Sequence, residues 1–177
     1  MNALNKTHFE LFGLPEGFSI DVTALDGAYR RVQGAVHPDR FGAGSATDRR
    51  IAMQLATHAN EAYRALRDPV QRAAYLCGLH GVDLQVHTNT SMPATFLVQQ
   101  MEWRERLDEV RESRSAPTLQ ALRDELSASR RDLLQAIEQA IDARSDYADA
   151  AALVRQLMFV ERFEIDVDAL DELLTEH

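Results

Sequence analysis

The chain has 177 residues, 45% hydrophobic and 27% charged, with a formal net charge of −9, the profile of a globular protein with one domain or two small ones. No apolar run approaches the roughly 20 residues of a membrane helix, the opening "MNALNKTHFE" has no signal core, and the single Cys77 excludes an intrachain disulfide, so a bacterial cytoplasmic protein is expected. Residues 1–80 carry 9 Lys/Arg against 8 Asp/Glu and residues 81–177 carry 10 against 20, an acidic second half that argues against nucleic acid as a partner.

The predicted elements are helical throughout. "FELFGL" (9–14) predicts a short helix, ended by Pro15 and Gly17. A longer helix over 21–36 follows, with Asp21 as its N-cap. Val22, Leu25, Tyr29, Val32 and Val36 recur there at steps of three and four, marking one apolar stripe. Pro38 drives His37 out of the α region and ends that helix. Residues 37–46 read as a Gly/Ser-rich loop. Ser45 and Asp48 form a capping box with Asp in place of Glu, opening a helix over 47–67 with Ile51, Leu55, Ala59, Ala62 and Leu66 on one face. Asp68-Pro69 breaks it, and Pro69 opens a short helix ending at Gly78.

"LHGVDLQVHTNTSM" (79–92) lacks helical periodicity and reads as a linker. Three helices are predicted beyond it, over 93–114, 117–143 and 146–163, with a short acidic one over 167–175. Pro93 and Pro117 stand at helix starts. Leu119, Leu122, Leu126, Leu133, Ile137 and Ile141 line one side of the middle helix. The expected fold is all-α, with a helical unit over 1–80, a linker over 81–92 and a helical bundle over 93–177.

Two places carry candidate chemistry. The first is "VHPDRFG" (36–42), where His37, Pro38, Asp39 and Arg40 share one stiff turn between two amphipathic helices. Taken alone, the turn suits a solvated loop, or an acid–base pair in a metal-dependent hydrolase built on His37 and Asp39. The hydrolase reading lacks a neighbouring nucleophile, oxyanion donors and a phosphate cradle. Arg30 and Arg31, just upstream, fall off the apolar stripe and are expected to be exposed.

The second place is the helix over 93–114. Phe96, Trp103, Leu107 and Val110 mark its core stripe. At 100° per residue, Leu97, Met101 and Val98 lie about 100°, 140° and 200° from Phe96, and Glu105 and Glu102 at about 180° and 240°. Apolar side chains flanked by carboxylates on the face away from the core are a partner-binding pattern. On the helix over 146–163, the stripe is Leu153, Leu157 and Val160, and Phe159 is expected to point outward. The same pattern also suits bundle helices packed on two sides.

His-Pro-Asp between antiparallel helices resembles a J-domain. "FELFGLPEGFSID", "HPDRF", "LRDPVQRAAYLCGLHGVDL" and the acidic "FLVQQMEWRERLDEV" together resemble the HscB family, the J-domain co-chaperones of iron–sulfur cluster assembly, across essentially the whole chain. The resemblance implies an N-terminal J-domain and a C-terminal three-helix bundle. It implies a non-enzymatic protein with no cofactor of its own. It further implies that His37, Pro38 and Asp39, with Arg30, Arg31 and Arg40, engage the ATPase of a DnaK/HscA-type chaperone. Leu97, Val98, Met101, Glu102, Glu105 and Phe159 would then engage an IscU-type iron–sulfur scaffold protein. No nucleic acid or membrane partner is implied, and an adaptor for a different client is the alternative.

Two departures qualify the resemblance. Gln33, Gly34 and Ala35 stand where family members often carry basic residues, which thins the basic footprint and implies a specialised chaperone. Val98 and Met101 differ from common family choices and remain apolar. Some members also carry paired Cys-x-x-Cys zinc motifs. This chain has none, and Cys77, His80 and His87 lack a fourth ligand, so no metal site is expected.

Overall fold

The computed structural model describes residues 6–36, 45–84 and 92–175. Every regular element among them is a helix: α1 (His8–Phe12), α2 (Val22–Val36), α3 (Ala46–Arg67), α4 (Pro69–Leu79), α5 (Ala94–Ser113), α6 (Ala116–Glu138) and α7 (Tyr147–Thr175). The chain divides into two compact units, Met1–Leu76 and Cys77–His177.

The first unit is built on the α2–α3 hairpin. α1 is closed at its start by a capping box between Thr7 and Glu10. It ends at Gly13, whose φ of +67° is left-handed backbone that glycine adopts without Cβ strain. Gly13, two residues earlier than Pro15, is therefore the terminator. Asp21 caps α2, accepting from the Ala24 N–H at 3.0 Å, and Ser45 and Asp48 close the predicted box on α3.

Polar ties run across the hairpin from Asp26 to Tyr63 and Arg67, and from Tyr29 to Asn60. Partner numbers fall as positions on α2 rise, so the helices are antiparallel. Leu25, Ala28, Ala59, Ala62 and Leu66 are buried between them and their neighbours. Val22 and Ile51 are exposed, contrary to the predicted stripes. On α3 the buried position is Ala52, which lies seven residues, close to two turns, from Ala59. Ile51 falls at the edge of that line. Val22, in the first turn of α2, precedes the buried positions.

Asp68 ends α3 in an extended conformation and caps α4 by accepting from the Gln71 N–H at 2.8 Å. Val70, Ala73 and Leu76 bury one face of α4. Arg72 donates to the Leu66 carbonyl and lies over the Phe18 ring, 5.1 Å from its centroid.

The second unit is the three-helix bundle of α5, α6 and α7. Arg114, at φ 53°, closes α5, and Ser115 caps α6. The predicted α6 stripe is buried in full. Its last turn widens to a π-helix over Gln139–Ala143. Asp146 then caps α7 by accepting from the Asp149 N–H.

α7 is one continuous helix of 29 residues where two were expected. No Gly or Pro interrupts residues 163–167, and Val160, Phe163, Val167 and Leu170 keep the buried face in phase. Arg123 of α6 secures this extension by pairing with Asp168 at 2.7 Å and Asp171 at 2.8 Å. At the start of α7 the buried stripe position is Val154, with Leu153 half-buried beside it.

Candidate functional site

In the first unit, the candidate surface is α2 and the His37–Arg40 segment that follows it in sequence. His37, Pro38, Asp39 and Arg40 lie outside the described residues. Arg30 and Arg31 are exposed, as their wheel positions require. Arg30 donates from Nε to the Asp26 carbonyl at 3.3 Å, one turn back. The Asp26 carboxylate accepts from the Tyr63 hydroxyl at 2.8 Å and from Arg67 at 2.6 Å. Those bonds, Tyr63's first, hold its carboxyl below the usual carboxylate range. Asp26 is thereby committed to Arg67 across the hairpin, and Arg30 and Arg31 make no ion pair among the described residues.

Gln33 has a structural assignment of its own. Its amide donates to Asn60 Oδ1 and to the Tyr29 hydroxyl, which itself donates to Asn60 at 2.8 Å. The side chain that replaces a common basic residue is therefore turned into the hairpin. Sequence reasoning missed this because a wheel gives an angle and not the Asn60 amide on the facing helix.

In the second unit, Leu97, Val98 and Met101 are 45%, 55% and 60% exposed. Glu102 and Glu105 are exposed beside them. The five residues share one face of α5, and its opposite face buries Phe96, Trp103, Leu107 and Val110. The face is braced from α6. Glu125 accepts from Trp103 Nε1 and Gln99 Nε2, each at 2.9 Å, and from the Arg106 guanidinium. Three consecutive turns of α5 are thus fixed by one carboxylate, so the exposed strip is presented on a rigid helix.

Phe159 does not point outward. It is half-buried, its ring edge-to-face with Phe96 at 5.9 Å and stacked with Phe163 at 6.1 Å. The Arg104 guanidinium covers it at 5.7 Å. The reason is register: α5 runs alongside α7 and sets Phe96 and Arg104 against the side of α7 that carries Phe159. Phe159 therefore sits at the flank of the Leu97–Met101 strip as a seam residue. Arg104 was not identified from the sequence, because its relation to Phe159 exists only across two helices.

Cys77 is buried, with its thiol 3.5 Å from the Tyr147 carbonyl oxygen, and burial pushes its pKa up to about 11. Such a thiol is a poor ligand and a poor nucleophile. Among the described residues no cluster of His, Cys, Asp and Glu is arranged for a metal ion, and His87 lies outside them. No helix among them is long and apolar enough to cross a membrane.

Comparison with known proteins gives a consistent answer. A family model described as the HSCB C-terminal oligomerisation domain matches residues 92–168. The co-chaperone protein HscB homolog of Burkholderia thailandensis is 50% identical over 174 residues, 98% of this chain and 99% of its own. That of Bordetella pertussis is 51% identical over 162 residues, 92% and 94% of the two chains. Among solved structures, chaperone HscB from Vibrio cholerae superposes with a TM-score of 0.82 at 34% identity, covering 96% of this chain and 99% of that one. Human co-chaperone protein HscB shares the fold, with a TM-score of 0.86 at 24% identity over 94% and 83% of the two chains.

Proposed function

This chain belongs to the HscB co-chaperone family, and from that premise we propose that it is a non-enzymatic, cytoplasmic adaptor between a DnaK/HscA-type chaperone and an IscU-type iron–sulfur scaffold protein. The first unit stimulates ATP hydrolysis by the chaperone. Asp39 offers a carboxylate for a charge-assisted bond to an arginine of the ATPase, and Pro38 stiffens the turn, lowering the ordering cost of docking. His37 either holds the loop or donates a hydrogen bond to the chaperone. Arg30, Arg31 and Arg40 supply the positive charge that attracts an acidic chaperone surface.

The second unit holds the scaffold. Leu97, Val98 and Met101 are the apolar anchor, and Glu102 and Glu105 meet basic groups on the scaffold. Phe159 backs the strip from α7. Carrying both sites in one chain raises the effective concentration of each partner for the other. The observation that carries this reading is the α5 face: three large apolar side chains, each close to half exposed or more, on a helix whose other face is fully packed.

Steady-state ATPase of the cognate chaperone, measured with this protein alone and with the scaffold added, tests the proposal. The expected result is stimulation by the protein alone and a further increase with scaffold. A chaperone whose turnover is indifferent to both would refute it.

A further inference from the structure

Beside the apolar strip, between α5 and α7, lies an open groove of about 320 Å³. Phe159, Leu107 and Phe163 line its apolar part, and the exposed Arg104 and Arg162 line its rim. The Arg104 guanidinium stacks 5.7 Å from the centroid of the Phe159 ring. Neither Arg104 nor Arg162 has an ion-pair partner among the described residues. Arg111, also on the lining, is satisfied by Asp108 at 2.7 Å. Asp166 is the remaining carboxylate there. The groove is cationic by the excess of Arg104 and Arg162 over Asp166, in a half of the chain with twice as many acids as bases.

The position of this charge gives it meaning. On α5 the strip of Leu97, Met101 and Val98 runs between two flanks of opposite sign. Glu102 lies on one, at about 240° from Phe96, with Glu105 at about 180° continuing the strip's own arc next to it, and Arg104 lies on the other, at about 80°. Arg162 adds to the second flank from α7. An apolar strip alone accepts a partner in either direction. A strip with a carboxylate flank and a guanidinium flank does not, because reversal places like charges together. Stacking on Phe159 also fixes Arg104, so its planar donor fork is positioned before a carboxylate arrives.

We infer that this surface is a polarised docking site: it takes a scaffold segment whose apolar anchor is bordered by Lys or Arg towards Glu102 and Glu105 and by Asp or Glu towards Arg104 and Arg162. The two arginines bind that carboxylate and set the direction in which the scaffold lies along α5. The inference rests on the scaffold-binding reading proposed for the α5 face.

The test is titration calorimetry of the full chain with its cognate scaffold protein, using two pairs of substitutions. Arg104→Glu with Arg162→Glu is expected to weaken binding at least tenfold, and Arg104→Gln with Arg162→Gln by a smaller factor, since the second pair removes attraction without adding repulsion. Both pairs should leave the Trp103 fluorescence melt unchanged. One Asp→Lys or Glu→Lys substitution on the scaffold should restore affinity for the charge-reversed pair. Leu97→Ala with Met101→Ala is the control for the scaffold reading. If that control abolishes binding while the charge-reversed pair binds within twofold of wild type, the polarity is overturned and the scaffold reading stands. If neither pair weakens binding, both fall.

Discussion

Trp103 of α5, fully buried, donates its indole N–H to the Glu125 carboxylate of α6 at 2.9 Å. The same carboxylate takes Gln99 and Arg106. The α5 face that carries the apolar strip is therefore indexed to α6 by a single residue.

Glu125→Ala is expected to destabilise the second unit by about 2 kcal/mol, because it leaves the Trp103 N–H buried and unpaired. That corresponds to roughly 10 °C in Tm for a unit of this size. Trp103 is the only tryptophan of the chain, so its fluorescence follows this unit during a thermal melt. Glu125→Gln, which keeps an acceptor for the indole, should recover more than half of the loss. An unaltered melt for Glu125→Ala would remove Glu125 from the framework of the bundle.

Phe159 and Leu97 should behave differently although both border one surface. Phe159→Ala removes a ring packed against Phe96 and Phe163, and at half-burial it should cost about 2 kcal/mol of stability. Leu97→Ala with Met101→Ala removes exposed side chains and should change stability by less than about 0.5 kcal/mol each. Scaffold affinity should fall in both cases. Only the second result is a clean reading of the interface, so melting and binding must be measured on the same preparations. A melt of Phe159→Ala matching wild type would return Phe159 to the outward position that its wheel angle suggested.

The contrast between these residues shows what the sequence made legible. The stripes of α5 and α6 were readable because leucines and aromatics repeat there with the helical period and polar residues fill the other positions. The exposure of Leu97, Val98 and Met101 followed by subtraction. Phe159 defeated the same arithmetic, since its burial depends on Phe96 and Arg104 arriving from another helix. The continuity of α7 is hidden for a related reason: the pairing of Arg123 with Asp168 and Asp171 that holds the helix beyond residue 163 is a contact 45 and 48 residues away in sequence. Gln33 was read as a missing charge, and its place in the Tyr29–Asn60 network belongs to the hairpin as a whole.

Stimulation of the chaperone should weaken with salt. Arg30 and Arg31 are exposed, so any attraction they exert on an acidic chaperone surface would be screened as the Debye length shortens from about 10 Å at 0.1 M salt to about 3 Å at 1 M. Arg30→Ala with Arg31→Ala should bind several-fold more weakly at low salt and show a flatter salt dependence. Asp39→Asn should abolish stimulation at every salt concentration and leave scaffold binding intact. An affinity unchanged by salt would disprove the role given to the arginines, and normal stimulation by Asp39→Asn would disprove the role given to the turn.

The first unit should lose stability in mild acid. His8 stacks on Tyr75 at 4.0 Å and lies 5.5 Å from His58, ring to ring. His8 Nδ1 and His58 Nε2 are buried without a hydrogen-bond partner among the described residues. Burial first, and then the neighbouring His58, lowers the pKa of His8 from its ordinary 6.5, with Glu61 opposing in part. A depressed pKa means that the unfolded chain binds a proton more readily than the folded one. The stability due to neutral His8 is thus complete above about pH 6.5, and it is lost as the pH falls from there through the lower folded value. Amide exchange in α1 and α3 should accelerate between pH 7.5 and pH 5.5 beyond the intrinsic change. His8→Phe, which keeps a ring on Tyr75 and cannot take up the proton, should flatten that dependence. Equal acid sensitivity in wild type and His8→Phe would assign the effect to other groups.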